Sequence, residues 1–299
     1  MIEIECEQGS EAWHQARVGV CTASMYRTAV EETCLLDERQ IKYVTAIKDG
    51  LPEDLALLEA GYKARPTSSA VKAALNGAPL YSPSKGSLAY ADEIAIERIS
   101  EEPYGDTFQT YAMKRGSEME RWARVRYEEL YRCEVSESGI LLTDDRLFGY
   151  STDGCRDDGK GIIEIKTPES ISKIRSIIET NDISEYIDQI DGGLWLTNLE
   201  FCDLVMYVPP LSGIGNDIYV HRIYRNEDRI QKLADSLWKF ELRAREAEVF
   251  WRKLFRRDGL EDSVASAPAQ PTEAEIQKVV ALASKPRAMR SSFASLLSQ

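Results

Sequence analysis

The fold of this chain depends on one stretch, Gly149-Tyr-Ser-Thr-Asp-Gly-Cys-Arg-Asp-Asp-Gly-Lys-Gly-Ile-Ile-Glu-Ile-Lys-Thr-Pro168. Its Asp158-Gly159 pair is typical of the tight turn of a β-hairpin, because both central residues of that turn need positive φ. We therefore predict two antiparallel strands that meet here. The first strand carries Asp153, and the second runs from Gly161 to Thr167.

The second strand alternates between apolar and polar residues. Side chains in a strand point to opposite faces in turn, so Ile163 and Ile165 share one face while Glu164 and Lys166 share the other. Together with Asp153, this polar face can hold a hard cation such as Mg²⁺ through carboxylate oxygens, and the lysine can orient a water beside it. That spacing is typical of a metal nuclease. The alternative is a solvated strand whose charges serve only cross-strand pairing.

The composition describes a globular protein of 299 residues with a formal net charge of −13. Six cysteines without a Cys-x-x-Cys pair argue against a zinc site and a disulfide framework, so we expect reduced thiols and a cytoplasmic location. No apolar run approaches the roughly 20 residues that cross a bilayer, so no membrane partner is expected. The negative charge does not exclude DNA, because a nucleic acid responds to the local field of a groove within about 10 Å.

Other classes of enzyme lose support from missing motifs. Only two histidines are present, so a His-rich metal site or a Ser-His-Asp triad is hard to build. The sequence contains neither Gly-x-Ser-x-Gly nor the phosphate-binding Gly-x-x-x-x-Gly-Lys. Serine hydrolysis and the use of a nucleoside triphosphate are therefore disfavoured.

Helices are predicted on both sides of the hairpin. We expect a single domain over residues 1–258, with a helical elaboration at about 33–105, a linker over 259–271, and a C-terminal helix and tail over 272–299 that is mobile or serves as a docking segment. The patterns predict helices over 10–17, 38–48, 53–62, 67–75, 84–100, 108–132, 169–178, 184–198 and 226–257, and strands over 138–143, 147–151, 201–208 and 217–224.

Polar residues outside the hairpin are further candidates. Arg17 and Ser24 lie near helix ends, where backbone N–H groups favour anions such as phosphate; the alternative is a surface arginine and a capping serine. Glu120 lies on the helix before the hairpin and could face Asp153; the alternative is a salt bridge with Arg124 one turn away, worth a few tenths of a kcal/mol. Gln189 has apolar neighbours, and a buried amide needs partners in the backbone or in a site.

Five blocks, in order and over most of Ser10 to Arg225, make the sequence similar to the lambda exonuclease family, also called the YqaJ-type viral recombinase nucleases, within the PD-(D/E)xK nuclease fold. The blocks are Trp13-His14-x-x-Arg17-x-Gly19-Val20-x-Thr22-Ala23-Ser24, Gly116-x-x-x-Glu120, Ser151-x-Asp153-Gly154, Glu164-x-Lys166-x-Pro168, and Tyr186-x-x-Gln189 followed by Trp195-x-Thr197. This resemblance implies an α/β (α+β) fold with a restriction-endonuclease-like core, in which helices flank a mixed central sheet.

The resemblance also implies roles for individual residues. The metal ligands would be Asp153, Glu164 and the carbonyl of Ile165, with Mg²⁺ as the cofactor and Mn²⁺ able to substitute. Glu120 would hold a metal-bound water or a second ion. Lys166 and Gln189 would position the attacking water. Arg17 and Ser24 would bind the DNA 5′-phosphate, with Lys173 or Arg175 replacing a basic residue of the family that has no clean match here.

The activity implied is 5′ to 3′ digestion of one strand of linear double-stranded DNA by a ring-shaped homotrimer. The 3′ strand would pass to a single-strand annealing protein, in a phage or prophage recombination system of a bacterial host. Two alternatives stay open: an endonuclease of the same fold, and a non-catalytic DNA-binding scaffold. Against the scaffold, two carboxylates held together repel each other unless a cation offsets their charge.

Two departures from the family pattern affect these expectations. The spacing between Asp153 and Glu164 is longer than in the family by one residue, so the turn must bulge. The segment between Ser24 and Glu120 is much longer than in the shortest members, so its helices could reshape the DNA entrance or a subunit contact.

Overall fold

The computed structural model describes residues 1–104, 111–168 and 170–254. The expected linker at 259–271 and the C-terminal helix and tail at 272–299 lie outside the described residues. Within the described ranges, no helix is both long enough and apolar enough to cross a membrane. The chain forms two compact units: one combines residues 1–29 with the residues from 90 onward, and the other is residues 30–89.

The helices lie close to the positions that the sequence predicts. In chain order they are α1 Glu11–Ala16, α2 Tyr26–Val30, α3 Glu38–Lys48, α4 Glu53–Glu59, α5 Ser69–Leu75, α6 Lys85–Ser100, α7 Tyr111–Tyr131, α8 Ile171–Thr180, α9 Ile187–Thr197 and α10 Glu227–Leu254. The Ser10 hydroxyl accepts the backbone N–H of Trp13 and so caps α1, as predicted.

The strands include several short ones that the sequence does not reveal. They are β1 Ile2–Ile4, β2 Cys21–Thr22, β3 Glu32–Cys34, β4 Tyr81–Pro83, β5 Val135–Ser136, β6 Ile140–Leu142, β7 Phe148–Tyr150, β8 Gly154–Arg156, β9 Gly161–Lys166, β10 Phe201–Tyr207 and β11 Ile218–Tyr224.

The first unit contains a mixed five-stranded sheet with the order β11-β10-β9-β8-β5. β9 pairs in parallel with β10 and antiparallel with β8, while β10 and β11 are antiparallel. A second sheet of four strands, β1-β6-β7-β2, belongs to the same unit. The mixed α/β class expected from the sequence is thereby confirmed.

Helices cover both faces of β9. On one face Ile163 and Ile165 pack against Ala123 and Tyr127 of α7. On the other face α9 approaches closely: a Cβ added at Gly193 would lie 3.0 Å from the side chain of Ile162. Side chains on the polar face of β9 are therefore enclosed between the sheet and α9.

The second unit has a core of its own, formed by α3, α4 and α5. Tyr43, Val44, Ala56 and Val71 are fully buried there. A capping box at the start of α3, formed by Asp37 and Gln40, fixes the first of these helices. The antiparallel pair of β3 and β4 completes the unit.

The predicted hairpin is present, but two details of the prediction are wrong. Asp153 is not on a strand; it directly precedes β8. Of the two turn residues, Gly159 has a positive φ of 65° and Asp158 does not. The reason is that residues 157–160 form a connection longer than a two-residue turn, and such connections are most often built around a type I turn, whose central residues have negative φ. The pairs Gly154–Ile163 and Cys155–Ile162 follow each other without a break, so this connection, and not a bulge in the strand pairing, accommodates the length between Asp153 and Glu164.

Candidate active site

Glu164 lies at the centre of the candidate site. Its side chain is on the polar face of β9 and is only 2% exposed, so the solvated-strand alternative is wrong. One carboxylate oxygen accepts hydrogen bonds from Lys166 Nζ at 2.7 Å and from Gln189 Nε2. The other accepts from the Tyr150 hydroxyl at 3.2 Å. The structure thus brings together Glu164, Lys166 and Gln189 as predicted, and adds Tyr150, which the sequence analysis missed.

Asp153 is buried beside this network. One of its carboxylate oxygens accepts the backbone N–H of Ile165 at 2.7 Å, which fixes the side chain against β9 although Asp153 itself is outside the strand. The hydroxyl of Thr152 ties the same segment to β9 through the carbonyl of Ile163 at 3.2 Å. Burial, followed by the negative charge of Glu164, raises the pKa of Asp153 well above its ordinary value.

Lys166 provides the positive charge of the site. Burial works against its charged form, but the charges of Glu164 and Asp153 outweigh burial and raise its pKa. Its Nζ also lies 3.4 Å from the Gln189 side-chain oxygen. A lysine with a raised pKa stays protonated at neutral pH, so this side chain can orient groups and stabilise negative charge rather than accept a proton.

Glu120 lies half-buried on α7. Burial raises its pKa, Glu164 adds to this effect, and Arg124 and Lys166 oppose it. Arg124 forms its salt bridge with Glu137, so the alternative of a simple salt bridge between Glu120 and Arg124 is wrong. Glu120 therefore responds to Arg124 and also to Lys166 and Glu164 of the central network.

The chemistry of these side chains fits a hard divalent cation. Asp153, Glu164 and Glu120 bring three carboxyl groups near one lysine. Burial raises the pKa of Asp153 and Glu120, repulsion between the carboxylates adds to the shift, and a dication would offset both effects. Carboxylate and carbonyl oxygens are the ligands that Mg²⁺ prefers. In the described ranges, however, no three His, Cys, Asp or Glu side chains stand close enough together to hold an ion. The groups that could bind the cation directly are therefore Asp153, Glu164 and the Ile165 carbonyl.

Arg17 is linked to the segment that carries Asp153. Its guanidinium lies 4.1 Å above the ring of Trp13, and it donates a hydrogen bond to the Thr22 hydroxyl at 2.9 Å. The Trp13 indole N–H in turn donates to the Ser151 hydroxyl at 2.8 Å, two residues before Asp153. Burial lowers the pKa of Arg17, which shows that its surroundings disfavour an uncompensated positive charge.

The other predicted phosphate-binding residues differ in their surroundings. Ser24 is exposed and lies in a short 3₁₀ helix, Ala23–Met25. Lys173 forms a salt bridge with Glu185 at 2.7 Å, and its Nζ lies 5.3 Å from the centre of the Tyr186 ring. Arg175 is paired with Glu179 on the outside of α8. Of the two basic residues proposed to replace the family's, Lys173 is the one beside Tyr186.

Comparison with known protein families identifies the central part of the chain. The YqaJ-like viral recombinase domain matches residues 60–200. This range contains the blocks of Glu120, Asp153, Glu164 and Gln189, whereas Arg17 and Ser24 precede it. A search of curated proteins gave no match.

Solved structures show the same fold. The alkaline exonuclease from Laribacter hongkongensis is 23% identical, with a TM-score of 0.58 over 82% of this chain and 98% of its own. The structure of that exonuclease in complex with dAMP gives 23% identity and a TM-score of 0.57 over 82% of this chain and 97% of its own. Residues 60–200 therefore match the YqaJ-like viral recombinase domain, and the match contains four of the five sequence blocks that resemble that family.

Proposed function

We propose that this protein is a Mg²⁺-dependent nuclease that digests one strand of linear double-stranded DNA from the 5′ end. The observation that carries the proposal is the buried Glu164, held by Lys166, Gln189 and Tyr150 beside a second buried carboxylate, Asp153. Burying two carboxylates against one ammonium is costly unless the site binds something positive. The family match and the exonuclease fold support the same function.

The protein's own groups divide the work of phosphodiester hydrolysis. Asp153, Glu164 and the Ile165 carbonyl would hold Mg²⁺, which when bound supplies Lewis-acid stabilisation and lowers the pKa of a coordinated water. Lys166 Nζ, kept protonated, places positive charge beside the reacting phosphate and orients the attacking water. The Gln189 amide holds both Lys166 and Glu164 and so fixes the direction in which the ammonium points. Glu120 would hold a water of the bound ion or a second ion.

Recognition of the 5′ end would depend on Arg17, Ser24 and Lys173. Arg17 has a rigid position above Trp13, and among the described residues it takes part in no salt bridge with a carboxylate. A phosphate bound there would add negative charge beside the guanidinium, where Glu97 already acts in the same sense. A ring-shaped homotrimer and an annealing protein that receives the 3′ strand remain part of the proposal. The relative's complex with dAMP is consistent with release of mononucleotides.

Digestion of linear duplex DNA, compared with closed circular DNA, tests the proposed function. We expect Mg²⁺-dependent loss of the linear duplex only, and no digestion by Glu164→Ala, because that variant removes the residue on which the network converges. Gel analysis of both substrates with and without EDTA measures this result. Cleavage of the closed circle would favour the endonuclease alternative. Binding of DNA without cleavage, with any divalent ion, would favour the scaffold.

Replacing Arg17 tests recognition of the 5′-phosphate at the DNA end. Arg17→Ala should reduce the rate on 5′-phosphorylated duplex by about 10-fold to 100-fold, since a charge-assisted hydrogen bond contributes about 1.5–3 kcal/mol. The rate on 5′-hydroxyl duplex should change much less. Arg175→Ala, which removes an exposed arginine paired with Glu179, is the control and should leave both rates unchanged. Equal losses on both substrates would contradict a role in phosphate recognition.

A further inference from the structure

A pocket beside the candidate active site contains Arg27 and Glu185, two charged residues that the mechanism above does not use. Its volume is about 490 Å³, and Arg27, Lys173, Ser184, Glu185 and Tyr186 are among the residues that line it. Pockets of roughly 300–1,000 Å³ accept small ligands. The size therefore suits a phosphate group together with the nucleoside that carries it.

Tyr186 connects this pocket to the catalytic lysine. The centre of its ring lies 5.3 Å from Lys173 Nζ and 5.9 Å from Lys166 Nζ. Tyr186 is itself buried, so the ring is a fixed spacer between the two ammonium groups. An anion bound to Lys173 would consequently lie one side chain away from Lys166.

Glu185 occupies the position on Lys173 that a phosphate oxygen would need. The two side chains form a salt bridge of 2.7 Å and are 39% and 55% exposed for Lys173 and Glu185, respectively. Exposed ion pairs of this kind are weak. A terminal phosphate carries about −1.5 to −2 charges and three acceptor oxygens, so it competes well for the same ammonium.

Arg27 contributes a second cation to the same pocket from another element, α2. One of its guanidinium nitrogens donates to the backbone carbonyl of Ser184 at 3.0 Å, which directs the side chain toward the loop that carries Glu185. Asp182 accepts the backbone N–H of Ser184 at 3.0 Å. Glu185, and not Asp182, is therefore the carboxylate paired with a lysine of the pocket.

We propose that Glu185 is a specificity-determining residue: it competes with the 5′-phosphate of the DNA end for Lys173, and Arg27 joins Lys173 in binding the phosphate once Glu185 is displaced. This inference rests on the proposed function, because it concerns how the same enzyme selects its ends.

Binding measured without divalent ions separates this inference from catalysis. The probes are two fluorescent duplexes that differ only in a 5′-phosphate or a 5′-hydroxyl, titrated in EDTA with the full chain and followed by anisotropy. Glu185→Gln should bind the phosphorylated duplex about fivefold more tightly, as expected when one negative charge is removed near the phosphate in a solvated site. Affinity for the hydroxyl duplex should not change, and higher salt should shrink the gain.

Glu179→Gln is a matched control, because Glu179 is 56% exposed and pairs with Arg175 of the same helix at 2.7 Å. It should change neither affinity. Adding Arg27→Ala to Glu185→Gln should remove most of the gain. The inference is overturned if Glu185→Gln binds the phosphorylated duplex no more tightly, or if Glu179→Gln or the hydroxyl duplex shows the same gain. Such a result would leave Mg²⁺-dependent digestion by the wild type untouched, so the two failures are distinguishable.

Discussion

Asp153→Asn is expected to abolish cleavage while leaving the protein at least as stable as the wild type when no divalent ion is present. The loss of cleavage should be about 10³-fold or more, since a bound metal contributes several kcal/mol of transition-state stabilisation. The side-chain oxygen of the asparagine can still accept the backbone N–H of Ile165, so the segment before β8 should keep its position.

The stability of this variant follows from the sign of the pKa shift. Folding raises the pKa of Asp153, first through burial and then through the charge of Glu164, so the folded state binds the proton more tightly than the unfolded state. The favourable contribution of the protonated group is complete below the unfolded pKa of about 3.9, and is lost as pH rises through the raised folded pKa. Above the unfolded pKa the aspartate therefore costs stability relative to a neutral side chain, and the asparagine removes that cost.

Thermal melts in EDTA from pH 5 to pH 8 measure this prediction. The Tm of the variant should exceed that of the wild type by more at the higher pH. Added Mg²⁺ should raise the Tm of the wild type, through binding to the folded state alone, and raise that of the variant much less. An unchanged cleavage rate, or a variant whose Tm falls further below the wild type as pH rises, would contradict the placement of Asp153 in a crowded anionic site.

Local sequence patterns predicted the elements of the site better than its enclosure. The alternation along β9 assigned Glu164 and Lys166 to one face correctly. It could not show that this face is buried, because burial depends on α9, more than 20 residues later in the chain. The available signal in the sequence was the Gly192-Gly193 pair of α9, because a side chain at Gly193 would meet Tyr150.

Contacts over long sequence separations account for most of what was missed. The Trp13 to Ser151 hydrogen bond joins residues 138 positions apart, and no periodicity reports such a pair. β3 and β4 escaped because neither Glu32–Cys34 nor Tyr81–Pro83 has a run of apolar residues like those of β6 and β7, and β4 ends in a proline. The hairpin was found because its turn chemistry is local.

Lys166→Ala is expected to reduce the cleavage rate by at least about 10³-fold. Its affinity for duplex DNA in EDTA should stay within about threefold of the wild type. Lys166 supplies the charge beside the reacting phosphate, whereas DNA affinity comes from many contacts along the backbone. Lys160→Ala removes an exposed lysine of the nearby turn and should change neither property. Single-turnover digestion and anisotropy titration measure the two quantities.

The same variant also distinguishes a catalytic lysine from a structural one. Removing Lys166 leaves Glu164, which is 2% exposed, with hydrogen bonds from Gln189 and Tyr150 but without a compensating charge. Loss of one partner of a buried pair costs about 3–5 kcal/mol, and less here because Lys166 is 27% exposed, so the Tm should fall in EDTA. Mg²⁺ should recover part of that loss, because a cation between Asp153 and Glu164 supplies the missing charge. Recovery of stability without recovery of cleavage would assign Lys166 to the chemistry, whereas a variant that cleaves at the wild-type rate would restrict it to holding Glu164 in place.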